Sequence, residues 1–173
     1  MTQYVAFLRA VNVGGTGKLP MADLRQMCSE IGFGDVRTYI ASGNALFTSN
    51  ASKQAIKAAL EDKLRAYADK PIGVIVRTAP ELRAVLDENP FTGRDPKHTL
   101  AIFLDRKPQK DALAQAVGQA DEEMSLGNRE IYVHYKGGIG RSKLRIPAAK
   151  EGTARNMNTI AKIVELAECH SSK

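Results

Sequence analysis

The stretch VRTYIASGNALFT, residues 36–48, decides the fold of this chain. It contains two short apolar runs joined by Gly43-Asn44, and a two-residue Gly/Asn link between β-type runs is typical of a hairpin. The stretch EMSLGNREIYVHY, residues 123–135, repeats the pattern around Gly127-Asn128. A helical pattern that opens with a proline precedes each hairpin. The sequence therefore predicts one α/β plan used twice.

The first half of the chain predicts the element order βαββαβ. A β-rich run at 4–10 is followed by a helical pattern that opens at Pro20 and ends at Gly32. After the first hairpin, Asn50 or Ser52 caps a second helix, and the run 72–77 is a strand. This order predicts a ferredoxin-like α+β unit with an antiparallel sheet and with its helices packed on one face.

The second half predicts the order βαββα, without a clear closing strand. Residues 78–81 form a capping box that starts a short helix, and the loop at 89–97 is the best boundary between halves. The expected domains are thus 1–88 and 89–173. Strand 99–104, a helix from Pro108, the second hairpin and a final helix capped by Thr153 make up the second half.

Composition excludes several classes of protein. The chain has 173 residues, of which 43% are hydrophobic and 25% charged, as in ordinary globular domains. No apolar run approaches the roughly 20 residues that cross a bilayer, and the N-terminus lacks the basic start of a signal peptide. Two cysteines, Cys28 and Cys169, are too few for a disulfide framework or a four-ligand zinc site. We expect a cytoplasmic protein that has no membrane segment and no metal site.

The net charge of +6 is concentrated in one segment. Residues 136–155 carry six basic side chains against Glu151 alone, for a net charge of +5. A basic excess favours an anionic partner, either a phosphate-bearing ligand or nucleic acid. The alternative is that the segment is simply a solvated surface.

The predicted topology brings two polar loops to one edge of the sheet. In a βαββαβ sheet the carboxyl end of the first strand lies beside the hairpin between the second and third strands. The loop 12–18 should therefore approach Ser42-Gly43-Asn44, and the loop before Pro71 should reach the same edge. Backbone amides of a glycine loop ahead of a helix suit an anion, and Lys18 adds charge. The alternative is that the glycines only permit a tight turn and that Asn44 only completes the hairpin.

A second polar cluster lies at 152–159. With Thr153 as the cap, Arg155 and Asn156 fall in the first turn of the last helix, where the helix dipole disfavours a cation. A residue that breaks a local rule indicates a functional site, and an anion bound here would meet the dipole, free amides and Arg155 together. The alternative is an arginine paired with Glu151 or with another acid.

Sequence motifs of known enzymes and nucleic-acid binders are missing. The phosphate-binding loop fails at both anchors, because Asn12 stands where its first glycine belongs and Leu19 follows Lys18. The dinucleotide fingerprint, the Gly-x-Ser-x-Gly elbow and the RNA-recognition signature are also absent. The three histidines have no metal-ligand spacing. No general base stands out, so catalysis is left open, and no cofactor is indicated.

The run AFLRAVNVGGTGKLPMADLRQMCSEIGFGDVRTYIASGNALF, residues 6–47, resembles a widespread bacterial family of uncharacterised proteins, domain-of-unknown-function family 1697. The later segments ENPF, FLD and GTARNMNTIAKIVELA match the same family. The resemblance covers nearly the whole chain and implies duplicated ferredoxin-like units, with no established activity. The family's recurring polar motifs fall here on Arg9, Asn12, Gly14, Gly15, Lys18, Ser42, Gly43, Asn44, Arg155, Asn156 and Asn158.

The favoured hypothesis is a protein that binds a small anionic or nucleotide-like ligand at loops 12–18, 42–44 and 153–158. It predicts that Lys18→Ala and Arg155→Ala each abolish ligand binding without unfolding the protein. The first alternative is nucleic-acid binding through the basic segment 136–155, with strong salt dependence. The second alternative is a protein-interaction module. The oligomeric state is left open between a monomer and a homodimer.

Overall fold

The computed structural model of the chain describes residues 1–13 and 18–171. It divides into two compact units, unit 1 with Met1–Glu81 and Glu165–Lys173, and unit 2 with Leu82–Val164. Both are mixed α and β, and each contains one four-stranded sheet whose paired strands are all antiparallel. Within the described ranges, no helix is both long enough and apolar enough to cross a membrane.

Unit 1 follows the predicted order of elements. Its sheet has the strand order β2-β3-β1-β4, so the first strand lies in the interior between the third and the fourth. The elements in chain order are β1 (Thr2–Leu8), α1 (Met21–Ile31), β2 (Gly34–Thr38), β3 (Asn44–Ser49), α2 (Lys53–Ala68) and β4 (Val74–Thr78).

The helix limits in unit 1 follow the local signals in the sequence. Pro20 precedes α1, and Gly32 ends it with a φ of 101°, which is rare for residues that have a side chain. Ser52 caps α2 by accepting a hydrogen bond from the amide of Ala55 at 3.1 Å. Both helices contribute to a core on one face of the sheet that contains Leu24, Leu60 and Phe47. The predictions for these two helices are confirmed.

Unit 2 repeats the strand order of unit 1 as β6-β7-β5-β8. The predicted capping box is present before its first helix, since the Thr78 amide donates to Glu81 Oε2 at 2.8 Å and the Glu81 amide donates to Thr78 Oγ1 at 3.4 Å. The remaining elements in chain order are α3 (Ala79–Asp87), β5 (Thr99–Phe103), β6 (Glu123–Leu126), β7 (Glu130–His134), β8 (Thr153–Asn156) and α4 (Met157–Ser171). The first residues of α3, through Glu81, and the part of α4 from Glu165 onward belong to unit 1.

The two sheets also match in register. The amide of Leu8, at the end of β1, donates to the carbonyl of Gly43 at 2.8 Å. The amide of Leu104, just after β5, donates to the carbonyl of Arg129 at 2.9 Å. Gly43 and Arg129 each stand directly before the third strand of their sheet. Phe7-Leu8 and Phe103-Leu104 are therefore equivalent positions, and the shared order and register are consistent with duplication.

The two hairpin links are longer than the two residues that the sequence predicts. The first runs from residue 39 to residue 43, and Asn44 is the first residue of β3. The reason is that the Asn44 side chain donates to the Tyr39 carbonyl at 2.8 Å while the Tyr39 amide donates to the Asn44 carbonyl at 3.0 Å. This ring draws Asn44 into the strand. The second link spans residues 127–129.

The helix predicted from Pro108 is wrong. Only a short 3₁₀ turn forms there, Ala112–Gln115. Val117 exchanges two backbone hydrogen bonds with Arg145, at 2.9 and 2.8 Å, and this bridge takes the end of the segment out of any helix. Gly118 follows with a φ of 72°, a backbone conformation that further excludes a continuing helix.

The predicted cap of the last helix is also wrong. Thr153 does not cap α4 but begins β8, which pairs with β5 and supplies the closing strand that the sequence did not indicate. The cap is Asn156, whose Oδ1 accepts from the amide of Thr159 at 2.9 Å. Ladder hydrogen bonds to β5 satisfy the backbone of 153–156 as a strand, and the helix begins one residue later.

Candidate functional site

The carboxyl end of β1 lies beside the β2–β3 loop, as the topology predicts, and beside the segment that leads into β4. Phe7 is the register partner of Asn44, and the Leu8 amide donates to the Gly43 carbonyl. On the other side, the Arg9 amide donates to the Gly73 carbonyl at 2.9 Å, just before β4. The end of β1 is therefore fixed between the β2–β3 loop and the segment that leads into β4. We call this part of unit 1 the β1 edge.

The side chain of Asn12 connects the loops of the β1 edge through three hydrogen bonds, which we call the Asn12 tie. Its Nδ2 donates to the carbonyl of Leu19 at 2.8 Å and to the carbonyl of Ala41 at 2.7 Å. Its Oδ1 accepts from the Leu19 amide at 2.7 Å. Both amide hydrogens of Asn12 are thus used by backbone carbonyls. The side chain closes the loop between 12 and 19 and fastens it to the β2–β3 loop.

Unfavourable backbone conformations concentrate at this edge. Ala10, Asn12 and Ile40 have φ angles of 54°, 55° and 51°. Such values are uncommon outside glycine and are most unusual for a β-branched residue such as Ile40. Each costs on the order of 1–3 kcal/mol and persists only where the surroundings hold it. Here the hydrogen bonds of Asn12 hold both loops, and strain of this kind clusters at ligand-binding loops.

Three residues with exposed side chains are adjacent in sequence to Asn12 or to the groups that its side chain joins. Val13 follows Asn12 and is 54% exposed, Ile40 precedes Ala41 and is 46% exposed, and Lys18 precedes Leu19 and is exposed. Each is therefore one residue away from a group that the Asn12 side chain joins, or from Asn12 itself. Arg9 lies partly buried at the same edge, beside Gly73. The edge combines an exposed lysine with two exposed apolar side chains.

The other predicted residues of unit 1 shape the loop. Asn44 is fully buried, and its Nδ2 donates to the Tyr39 carbonyl and to Ser42 Oγ at 3.1 Å. Gly43 has a φ of 91°, and a Cβ placed there would lie 2.7 Å from Val11 Cγ2. Only glycine fits this position without displacing its neighbours. Gly14 and Gly15, also predicted as ligand-binding, lie outside the described residues.

The predicted residues Arg155, Asn156 and Asn158 lie in unit 2. Arg155 is a strand residue paired with Ala101, so the interpretation that places it in the first turn of a helix is wrong. Its side chain is buried and donates to Thr153 Oγ1 at 2.8 Å and to the Ala154 carbonyl at 2.9 Å. Burial lowers the pKa of Arg155 to about 10. Asn156 caps α4 and Asn158 is exposed.

The basic segment 136–155 is not uniformly available to a partner. Lys136 pairs with Glu123 at 3.1 Å, and Arg155 is buried. The remaining basic side chains of the segment are exposed: Arg141, Lys143, Arg145 and Lys150. They lie on the irregular chain between β7 and β8, where two 3₁₀ turns are the only helical elements.

His134, one of the three histidines without metal-ligand spacing, is buried in β7. Thr99 Oγ1 donates to the Asp95 carbonyl at 3.0 Å, so its 2.9 Å contact with His134 Nδ1 is one in which Thr99 accepts. This contact places a proton on Nδ1. Among the described residues, no group of three or more His, Cys, Asp or Glu side chains lies close enough together to hold a metal ion.

Sequence reasoning missed a cavity of about 620 Å³ in unit 2. It is lined by residues that follow β5 and by residues 147–151, which precede β8. We call it the β5 cavity. Because Leu104 is equivalent to Leu8, this cavity occupies the position in unit 2 that the β1 edge occupies in unit 1. The repeat of one plan in both halves was the signal that could have indicated a second site after β5. The helix predicted from Pro108 would have filled this position, so the cavity was not expected.

The fold and the β1 edge define a class of duplicated α+β proteins with two four-stranded antiparallel sheets. The chain belongs to the family described as protein of unknown function (DUF1697), whose model matches residues 1–132. The sequence resemblance to that family is confirmed. No function is attached to the family by this description.

A solved structure of similar fold is that of the conserved bacterial protein SP0830 from Streptococcus pneumoniae. It superposes with a TM-score of 0.78 at 26% sequence identity, over 96% of this chain and 98% of that chain. No curated protein matches the chain significantly. The similarity supports the fold over nearly the whole chain and assigns no activity.

Proposed function

We propose that the protein binds a small anionic ligand with an apolar part, such as a nucleotide, at the β1 edge. The observation that carries this proposal is the set of hydrogen bonds from Asn12 to Leu19 and Ala41, which holds the backbone next to Lys18, Val13 and Ile40. A lysine offers a compact charge to a phosphate group, and exposed aliphatic side chains offer a surface to a flat ring. Exposed apolar side chains next to a cation are the complement of a nucleotide.

The supporting residues have different roles in this proposal. Lys18 and Arg9 supply charge, and Val13 and Ile40 supply apolar contact. Asn12 and Asn44 use their side-chain amides to hold the loops, so they preorganise the edge. Neighbouring residues then contact the ligand. Arg155 and Asn156 satisfy contacts within their own strand and helix, and the support for the proposal comes from unit 1.

A thermal-shift screen tests the proposal. The panel contains nucleotides, sugar phosphates, cofactor phosphates and inorganic phosphate, each added to the wild type, to Lys18→Ala and to Lys97→Ala. Lys97 is an exposed lysine of unit 2, so its variant matches the loss of charge away from the β1 edge. A ligand at a hundredfold over its Kd stabilises the folded state by about 2.7 kcal/mol, and this should appear as a Tm increase of several degrees.

We expect one nucleotide-like ligand to raise Tm in the wild type and in Lys97→Ala, and to raise it much less in Lys18→Ala. Equal increases in Tm for all three proteins would show that the ligand binds elsewhere than at the β1 edge. The absence of any shift across the panel would contradict the proposal. The cytoplasmic location that the composition indicates stays a prediction.

Nucleic-acid binding is the second candidate, and the four exposed cations between β7 and β8 favour it. Retention of the protein on duplex DNA should then fall steeply with salt, with a slope set by the phosphates that are contacted. Replacing Arg141 and Lys143 together by alanine should reduce that slope by about 2. An unchanged slope would remove the segment from consideration. The interaction-module alternative stays a prediction.

A further inference from the structure

We infer that the β5 cavity is a second binding site, and that it takes a small zwitterion such as a free amino acid or a dipeptide. The cavity lies within unit 2, and its lining shares no residue with the β1 edge. Its volume, about 620 Å³, falls in the range of small-molecule sites. The inference concerns a different ligand and a different part of the chain from the proposed function.

The cations of the cavity are its first recognition element. Arg106 and Lys107 both line it and both are exposed. Neither makes a hydrogen bond or an ion pair with another residue in the part of the chain that the structure describes. A guanidinium binds a carboxylate through two parallel hydrogen bonds, and Lys107 adds a second positive charge beside it. The acidic group of a ligand would lie here.

The carboxylates of the cavity are its second recognition element. Asp105, Asp111 and Glu151 also line it, so acidic side chains outnumber basic ones. Asp111 accepts a hydrogen bond from Gln115 Nε2 at 3.2 Å. A carboxylate has several acceptor sites, so Asp111 can also accept from an ammonium group. The amino group of a ligand would lie against Asp111.

The balance of charges selects the ligand class. A phosphate monoester carries about two negative charges, and the acidic excess of the lining opposes it. A diamine meets Arg106 and Lys107, which repel it. A ligand with one group of each sign satisfies both sets. The apolar side chains of Leu104, Pro108 and Ala112 also line the cavity and suit the carbon skeleton of such a ligand.

The equivalence of the two sheets supplies an independent argument. Leu104 is fixed by the Arg129 carbonyl as Leu8 is by the Gly43 carbonyl, so each sheet presents the end of its first strand in the same way. In unit 1 that end is enclosed by the loops that Asn12 ties. In unit 2 Pro108 occurs four residues after Leu104, as Asn12 does after Leu8, and it has no side-chain amide to close the loop. The cavity is the space that this loop leaves open.

Ligand-observed NMR on the full chain tests the inference, with the twenty common amino acids and a set of dipeptides as probes. Inorganic phosphate and putrescine serve as probes that carry charge of one sign only. The proteins are the wild type, Arg106→Ala, Ala148→Phe, Lys97→Ala and Lys18→Ala. Ala148 is an exposed residue that lines the cavity, so a phenylalanine there fills space without a change of charge.

We expect at least one zwitterion to bind saturably to the wild type, to Lys97→Ala and to Lys18→Ala. Arg106→Ala should weaken that binding by about tenfold or more, and Ala148→Phe should weaken it as well. Binding unaffected by both cavity variants, tighter binding of phosphate or putrescine, or no saturable zwitterion would overturn the inference. Because Lys18→Ala keeps this site, failure here is distinguishable from failure at the β1 edge.

Discussion

The equivalent edges of the two sheets differ in how the chain closes them. In unit 1 the chain after β1 turns through Ala10 and Asn12 in the left-handed region and is tied by the Asn12 side chain to Leu19 and Ala41. In unit 2 the chain after β5 passes through exposed charged residues to Pro108 and borders an open cavity. The strand order and the register at Leu8 and Leu104 are nevertheless the same.

This difference shows which parts of a duplicated fold are fixed by pairing and which by loop chemistry. Antiparallel ladders set the strand order in both sheets, although the helix α1 of unit 1 is replaced in unit 2 by the 3₁₀ turn Ala112–Gln115. The core of unit 1 includes Leu24 of α1, whereas Ile102 and Ile131 of unit 2 pack with Leu113 of the 3₁₀ turn and with Ile146. The cover of a sheet can therefore change while its strand order remains.

The largest loss of stability is expected from Gly43→Ala, which would disrupt the packing of the β2–β3 loop at the β1 edge. The new Cβ would lie 2.7 Å from Val11 Cγ2 and 2.8 Å from Leu8 Cβ, at a φ of 91°. Strain and overpacking together should lower the free energy of unfolding by about 3 kcal/mol. Chemical denaturation of the variant and the wild type measures this difference.

Gly32→Ala is the matched control for that experiment. Gly32 has a similar φ of 101°, but a Cβ there would have no heavy atom within 4 Å. Only the conformational cost remains, so the loss should be about 1 kcal/mol. If both variants lose the same amount, the contacts of Gly43 with Val11 and Leu8 do not constrain the edge.

The next largest loss of stability is expected at one of the two glycines that directly precede the fourth strand of each sheet, Gly152 and Gly73. A Cβ at Gly152 would lie 2.7 Å from the Phe103 carbonyl oxygen and 2.9 Å from two side chains, Ile102 and Leu104. A Cβ at Gly73 would make ordinary contacts with Arg9, at 3.6 and 3.8 Å. Gly152→Ala should therefore cost about 2 kcal/mol, and Gly73→Ala should change the stability by less than about 1 kcal/mol.

Denaturation curves of these two variants sharpen the comparison between the units. A larger loss for Gly152→Ala shows that unit 2 packs its chain more tightly before the fourth strand, although it is the more open unit after the first. A larger loss for Gly73→Ala would reverse that conclusion.

The sequence was most informative where one local signal acts alone. Pro20, Gly32 and Ser52 set helix limits in unit 1 through the conformations and hydrogen bonds of single residues, and the structure has the helices there. Strand order alone predicts that the 12–18 loop approaches the 42–44 segment. In the described residues, Asn12 donates to the carbonyl of Ala41, which directly precedes that segment.

The sequence failed where long-range pairing overrides a local pattern. Residues 108–117 have a helical pattern, but the bridge between Val117 and Arg145 joins positions that no local signal connects. Thr153 is a suitable cap by type, but pairing with β5 makes it a strand residue, and Arg155 becomes buried instead of lying on a helix. The β5 cavity is lined in part by the 3₁₀ turn that stands in place of the predicted helix, so spacing did not indicate it.

The smallest expected effects concern two carboxyl groups with lowered pKa values, one in each unit. The hydrogen bond from Ser142 Oγ, at 2.5 Å, is the main cause of the lowered pKa of Glu122, and the amide of Ala120 contributes at 2.6 Å. In unit 1, Lys63 is the main cause of the lowered pKa of Glu30, through a contact of 2.9 Å. In both cases the folded state prefers the ionised carboxylate.

A lowered folded pKa stabilises the protein above the unfolded pKa, and this contribution is lost as the pH falls through the folded value. The stability of the wild type should therefore decrease below a pH of about 4.5, the ordinary pKa of a glutamate. Ser142→Ala should return the pKa of Glu122 toward 4.5, and Lys63→Ala should do the same for Glu30. Carboxyl-detected NMR titrations of each variant measure these values directly.

Added salt separates the two causes. The Glu30–Lys63 pair is exposed, so salt should screen it and raise the pKa of Glu30 even in the wild type. Glu122 is held by a hydroxyl and a backbone amide, which carry no net charge, so its pKa should respond much less to salt. An equal response of both pKa values to salt would show that the charges of the basic segment 136–155, and not the Ser142 hydrogen bond, lower the pKa of Glu122.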